Sequence, residues 1–379
     1  MFEYHYEAYP VLINMFLFIL LLFPLNYSYR GRSLVEKYRH YNENEVYKWL
    51  FLITILYCTF GYADNDFYHY KALYDYILLT GEGVHMEDFY VWLVLNLPGG
   101  YLFWRFAIWG CATLITILTF KRLNLEPKVT SCIFVLFYLV TLSIMRGNLG
   151  IAILFFGFSF WLKPIPKHLI LSYLLGGFLI AVSIFFHRSM FVSILALLVT
   201  PFKLKKWQVI VSLLLFPILV VYVTDFLQLL IASQGISEDG MMGDSLSKAS
   251  SYADREFSQA NINGFIVRIV QYTPIVGSLI YVTWKVVFRE IILPRCIYPF
   301  FIYWYAVTYV AFLFFFQETS IWIFIRFMMM GYLPMVIVLS WYYANKKPTR
   351  WMKFFLLMAL IYCIYRLSYS FYNRISALS

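Results

Sequence analysis

Apolar residues along the chain come in repeated runs of about 15–22 residues, bounded by Lys and Arg. A helix rises 1.5 Å per residue, so runs of this length match the ~30 Å hydrocarbon layer of a bilayer. Twelve such runs predict membrane-spanning helices: roughly 11–27, 49–62, 101–119, 129–145, 149–162, 169–186, 189–202, 207–224, 264–284, 296–316, 321–343 and 354–372. The runs 49–62, 149–162 and 189–202 are the shortest. Within the runs apolar residues do not alternate with polar ones, which argues for helices and against a barrel. The first run has no basic stretch before it and no small-residue cleavage site after it, so it is read as a retained helix. The expected fold is therefore all-α, a polytopic transmembrane helical bundle of about 12 spans forming one domain over residues 1–379.

Composition agrees with a lipid solvent. The chain is 62% hydrophobic and 13% charged, with a mean hydropathy of +0.71; soluble domains carry about a quarter charged residues. The net charge of +10 raises the question of a nucleic-acid partner. Its distribution answers it. Of the 30 Lys and Arg residues, 20 fall in the alternate loops 28–48, 120–128, 163–168, 203–206, 285–295 and 344–353. The positive-inside rule places that set in the cytoplasm and both termini outside. Orientation thus accounts for the charge, and no nucleic acid is called for. The five cysteines all lie inside apolar runs, without metal-ligand spacing or a disulfide framework.

The two long segments on the other face are acidic: 63–100 carries Asp64, Asp66, Asp75, Glu82, Glu87 and Asp88, and 225–263 carries six acids in a Ser- and Gly-rich stretch. Both are read as extracytoplasmic loops, the second as a candidate lid. Large loops on one face point to work done there.

Arginines mark that face too. Arg105, Arg268, Arg326 and Arg366 lie toward the outer ends of their spans, and Arg146 and Arg188 sit at outer helix ends. An arginine inside a span costs about 2.5–3.5 kcal/mol, less when it snorkels to an end. Lysine snorkels equally well, yet all six are Arg, whose guanidinium holds phosphate in a bidentate fork. The pattern predicts a phosphate or diphosphate site at the outer boundary, unless the arginines merely pair with nearby acids. Tyrosines cluster beside it: "YADNDFYHYKALYDY" holds Tyr62, Tyr68, Tyr70, Tyr74 and Tyr76. Aromatic faces with carboxylates suit sugar rings.

Five segments carry a family likeness. They are "ADNDFYHYKALYDYI" (63–77), "MEDFYVWL" (86–93), "IMRGNLGIAILFF" (144–156), "SIFFHRSMF" (183–191) and, less closely, "IRFMMMGYLP" (325–334). In order and spacing the chain resembles the EpsG-like, Wzy-type polysaccharide polymerases of bacterial membranes. It departs from them at "ADND", where Gly-x-Asp is more usual, so the equivalent acid is either Asp64 or Asp66. Residues 225–263 resemble nothing in that family.

The resemblance implies a GT-C-like glycosyltransferase in the bacterial inner membrane. Such an enzyme joins oligosaccharide repeat units carried on undecaprenyl diphosphate at the outer face. Membrane lipid, a chain-length regulator and a flippase of the same pathway are the implied partners. The chain has no G-x-G-x-x-G or Walker loop, consistent with a lipid-diphosphate donor. No cofactor or metal is called for. Attack of an acceptor hydroxyl on the anomeric carbon needs a base and positive charge at the departing diphosphate. His187 is the leading base, with Arg188 beside it favouring the neutral imidazole; Asp64 and Asp66 are alternatives. Arg146, Arg188, Arg326, Arg268, Arg105, Tyr70, His69 and Glu87 are the expected substrate-binding set. An O-antigen ligase and a lipid-linked oligosaccharide flippase remain as competing readings.

Overall fold

The structure is a computed structural model and describes residues 43–60, 66–83, 87–138, 145–187, 190–233, 262–288, 291–314 and 321–376. Thirteen α-helices are present among them: α1 (Glu43–Phe60), α2 (Asp66–Thr80), α3 (Asp88–Asn96), α4 (Gly100–Arg122), α5 (Pro127–Phe137), α6 (Met145–Leu162), α7 (Leu169–Phe186), α8 (Met190–Leu197), α9 (Lys206–Ser233), α10 (Ile262–Val287), α11 (Tyr298–Leu313), α12 (Ile321–Asn345) and α13 (Arg350–Ser376). No strand occurs among the described residues. The expected span 11–27, Asp64, Arg188 and the middle of the expected loop 225–263 lie outside the described residues.

Where a long apolar run is interrupted by turn or charged residues, the helix follows it closely. The run 169–186 is α7, and 321–343 is all but the last two residues of α12. Among the described residues, three helical stretches have the length and hydropathy to cross a membrane: Gly100–Arg122, Pro166–Phe186 and Phe324–Asn345. Four more are apolar but shorter: Pro127–Phe137, Arg146–Leu162, Lys206–Tyr222 and Tyr298–Leu313. The run 189–202 yields only the eight-residue α8, about 12 Å long.

The segment 63–100 contains two helices, α2 and α3, where an outer loop was expected. Its mean hydropathy is too low to register as a span, but its buried residues have helical spacing. Tyr70, Tyr74 and Ile77 recur at i, i+4 and i+7 and are all buried. They pack around Trp104 of α4, which is fully buried. The rings of Tyr70, Tyr74, Tyr90 and Tyr101 lie 6.5, 5.8, 6.5 and 5.9 Å from that indole. This aromatic cluster seats α2 and α3 on α4.

The core centres on α12. Leu333 and Met335 through Leu339 have no exposed surface. α12 packs chiefly on α11 and α5, and α6 packs on α7 and α4. α7 is peripheral: Ile170, Leu171, Phe178 and Phe185 project from the protein, as expected of a face turned to lipid. α6 and α7 come together at two glycines. A Cβ on Gly157 would lie 2.9 Å from the Gly176 carbonyl oxygen, and one on Gly176 2.5 Å from Trp161 Cδ1. Small residues allow such close backbone approach between apolar helices.

Candidate functional site

Arg146 occupies the first turn of α6, within the helix rather than ahead of it as the run 149–162 suggested. Its Nη1 lies 2.5 Å from Glu87 Oε2, at the N-cap of α3. Its Nε donates to the Tyr70 hydroxyl at 3.3 Å. The Tyr90 hydroxyl donates to the Arg146 carbonyl at 3.2 Å. The guanidinium also lies 5.4 Å from the Tyr70 ring centre and 5.9 Å from that of Tyr90, within cation–π range. Burial, and then the Glu87 carboxylate, push the Tyr90 phenol well above its ordinary value, so it acts as a neutral donor. Three of the sequence-stretches named for chemistry therefore meet at one residue: Tyr70 from α2, Glu87 from the start of α3, and Arg146 from α6.

His187 ends α7. Its backbone is extended, its N–H donates to the Ser183 carbonyl, and its own carbonyl accepts from Met190 N–H at the start of α8. The break between the two helices turns the imidazole out of the helical path. The preceding Phe186 packs edge-on against Phe89 of α3 at 4.6 Å, which ties this break to the segment bearing Glu87.

Arg326 lies in the second turn of α12. Phe324 and Phe327 flank it. Phe324 packs on Tyr272 and Phe312 at 4.8 and 5.4 Å, and Phe327 stacks on Phe314 at 5.7 Å. These contacts fix the start of α12 against α10 and α11. Arg326, Met329 and Met330 share one face by their i, i+3, i+4 spacing.

One cleft joins these elements. Gly147 and Ile151 of α6, His187, Met190 of α8, and Arg326, Met329 and Met330 of α12 line it. His187, Arg326 and Gly147 in the first turn of α6 are its lining residues that carry or adjoin polar groups. The N-terminus of a helix carries partial positive charge and orphan N–H groups. The other side, Ile151 and three methionines, is apolar and deformable. Gly150 sets how closely the walls approach, since a Cβ there would lie 2.9 Å from Met190 Cγ and 3.4 Å from His187 Cβ.

The remaining expected residues fall elsewhere. Arg105 is buried on α4, where Nη2 donates to the Cys58 carbonyl of α1 at 2.6 Å and Nη1 reaches the Tyr101 hydroxyl at 3.5 Å. It does not line the cleft. Asp66 and His69 are on α2 and Arg268 is on α10, with only their backbone described. Gly147, Gly150, Met190, Tyr90 and the methionines of α12 were not singled out from sequence. The two glycines three apart in "RGNLG" were the available signal for a close approach. Among the described residues no three His, Cys, Asp or Glu side chains group as a metal site.

No curated protein matches the chain, and no solved structure does. A family model described as the EpsG family matches residues 46–377, from the first described helix to the last. The match covers every element that builds the cleft, and the chain belongs to the EpsG family, membrane proteins of polysaccharide biosynthesis that resemble polymerases.

Proposed function

We propose that this protein is a polysaccharide polymerase that joins oligosaccharide repeat units carried on undecaprenyl diphosphate at the outer face of the bacterial inner membrane. One observation carries the reading: His187, Arg326 and the first turn of α6 line a single cleft although they come from distant parts of the chain. A transferase of this kind needs a base and fixed positive charge in one place, and these are the groups that supply them.

In this reading the donor diphosphate lies against Arg326 and the N-terminus of α6. An acceptor sugar hydroxyl attacks the anomeric carbon of the donor chain. The new glycosidic bond forms as the bond to the diphosphate oxygen breaks. His187 takes the hydroxyl proton, and undecaprenyl diphosphate leaves with the charge that Arg326 and the helix terminus offset. Arg146 holds Glu87 and Tyr70 at the rim, where the sugar would lie. Asp64 or Asp66 as an alternative base, and His69, Arg188 and Arg268 as further substrate-binding residues, complete the proposal. Arginine charge takes the part that a metal plays in other transferases. A flippase delivering the donor and a regulator of chain length are the proposed partners.

The test is purified protein incubated with undecaprenyl-diphosphate-linked repeat units and no other acceptor. A ladder of lengthening products supports polymerisation. Intact substrate with folded protein overturns it, and transfer only to an added foreign acceptor would indicate a ligase.

A further inference from the structure

We infer that Tyr138 and Asn148 are positioning residues: the buried hydrogen bond between them holds the first turn of α6 in the orientation that presents Gly147 to the cleft. The inference rests on the proposed reading of that cleft as the place of transfer.

Successive helix residues are turned by 100°, so Arg146, Gly147 and Asn148 point in three directions. Arg146 points to Tyr70 and Glu87. Gly147, with Ile151 a turn later, faces the cleft. Asn148 points away to Tyr138, whose hydroxyl donates to Asn148 Oδ1 at 2.8 Å. Both residues are almost wholly buried. The turn is thus tied on both sides of the face it shows to the cleft. The Asn148 tie holds the side of the turn that the Arg146 contacts do not reach.

Tyr138 is itself fixed. It ends α5, where its N–H donates to the Phe134 carbonyl at 2.9 Å and its ring lies 4.9 Å from that of Phe134. α5 packs along α12, the helix that carries Arg326, whereas α6 touches α12 only lightly. The path α6–Asn148–Tyr138–α5–α12 therefore adds a buried polar link between two walls of the cleft. The hydrogen bond sets the separation of the α6 terminus from Arg326. Neither residue reaches the cleft, so any effect on transfer passes through this geometry.

A bond that served stability alone would move the melting temperature and amide exchange but leave ladder growth per folded molecule unchanged. The experiment therefore uses full-length protein in lipid nanodiscs and compares wild type with Tyr138→Phe, Asn148→Leu and the double variant. Three quantities are read: amide hydrogen exchange over residues 145–151, the rate of product-ladder growth per folded molecule, and the melting temperature. Exchange in each single variant is expected to rise at least tenfold. Ladder growth is expected to fall about tenfold, the cost of roughly one hydrogen bond. The double variant should lose no more than the worse single, because both act through one bond. Asn148→Ser, which puts an accepting hydroxyl in place of the amide oxygen, is the milder variant should Tyr138→Phe fail to fold. Unchanged exchange in a folded single variant, or wild-type ladder growth with exchange increased, overturns the inference. A wild-type protein that makes no ladder overturns the functional reading instead. Exchange alone then judges the tie: a tenfold rise sustains it, and no rise removes it.

Discussion

Glu87 and Arg146 form an ion pair at 2.5 Å in which the side chains keep only 13% and 15% of their surface exposed. They stand on different helices, and the pair unites α2, α3 and α6 through Tyr70 and Tyr90. Removing one member of a buried pair strands the other charge. Glu87→Ala should therefore cost about 3 kcal/mol of stability. The double variant Glu87→Ala/Arg146→Met should recover most of that loss, yet remain inactive if Arg146 orders the sugar-binding rim. Thermal unfolding in nanodiscs beside ladder growth checks both. Recovery of activity together with stability would reduce the pair to scaffolding.

Arg326 and His187 should fail in different ways. Arg326→Lys keeps the charge but loses the planar fork, and transfer should drop about a hundredfold, as for loss of a preorganised donor. His187→Ala should lower transfer about a thousandfold, in the range of a lost general base. Binding of the lipid donor, followed by native mass spectrometry, should stay within about twofold for His187→Ala and weaken for Arg326→Lys. Donor binding lost only in the His187 variant would reverse the two roles.

Gly150→Ala tests the cleft's width. The new methyl would meet Met190 Cγ at 2.9 Å and His187 Cβ at 3.4 Å. Methionine can yield, so the fold should survive at a cost of about 1 kcal/mol. The imidazole would shift by a few tenths of an ångström, and transfer should fall about tenfold. Wild-type transfer in a folded Gly150→Ala protein would show that His187 tolerates displacement.

Gly157→Ala is the structural counterpart. Its methyl would meet backbone, the Gly176 carbonyl oxygen at 2.9 Å and Ile180 N at 3.1 Å. Backbone cannot yield as a methionine does, and α6 and α7 must separate. A loss of about 2–3 kcal/mol is expected, with transfer per folded molecule near wild type. A melting temperature equal to wild type would contradict the close packing of these helices.

Much of the architecture was legible in the residues alone. Bilayer thickness sets how long an apolar run must be, so α7 and α12 could be placed to within a turn from hydropathy. The segments bearing Tyr70, Glu87, Arg146, His187 and Arg326 also stood out, because ionisable and aromatic residues at the ends of apolar runs are costly and therefore conspicuous. The helices α2 and α3 were not legible. Their stability comes from packing Tyr70, Tyr74 and Tyr90 around Trp104, a tertiary contact that leaves little trace in a hydropathy average.

The tertiary structure decided which of the conspicuous residues work together. Arg105, Arg146 and Arg326 look alike in sequence, each an arginine at a helix end. Folding turns Arg105 onto the Cys58 carbonyl and Arg146 onto Glu87, and sets Arg326 along the same cleft as His187. That outcome depends on the rotation of each helix about its axis. Rotation is set by contacts such as Gly150 against Met190 and Tyr138 against Asn148, between residues whose pairing no local pattern encodes. The sequence determined where long apolar helices and their costly polar groups would lie; only the packing of those helices determined that His187, Arg326 and the first turn of α6 would line one cleft.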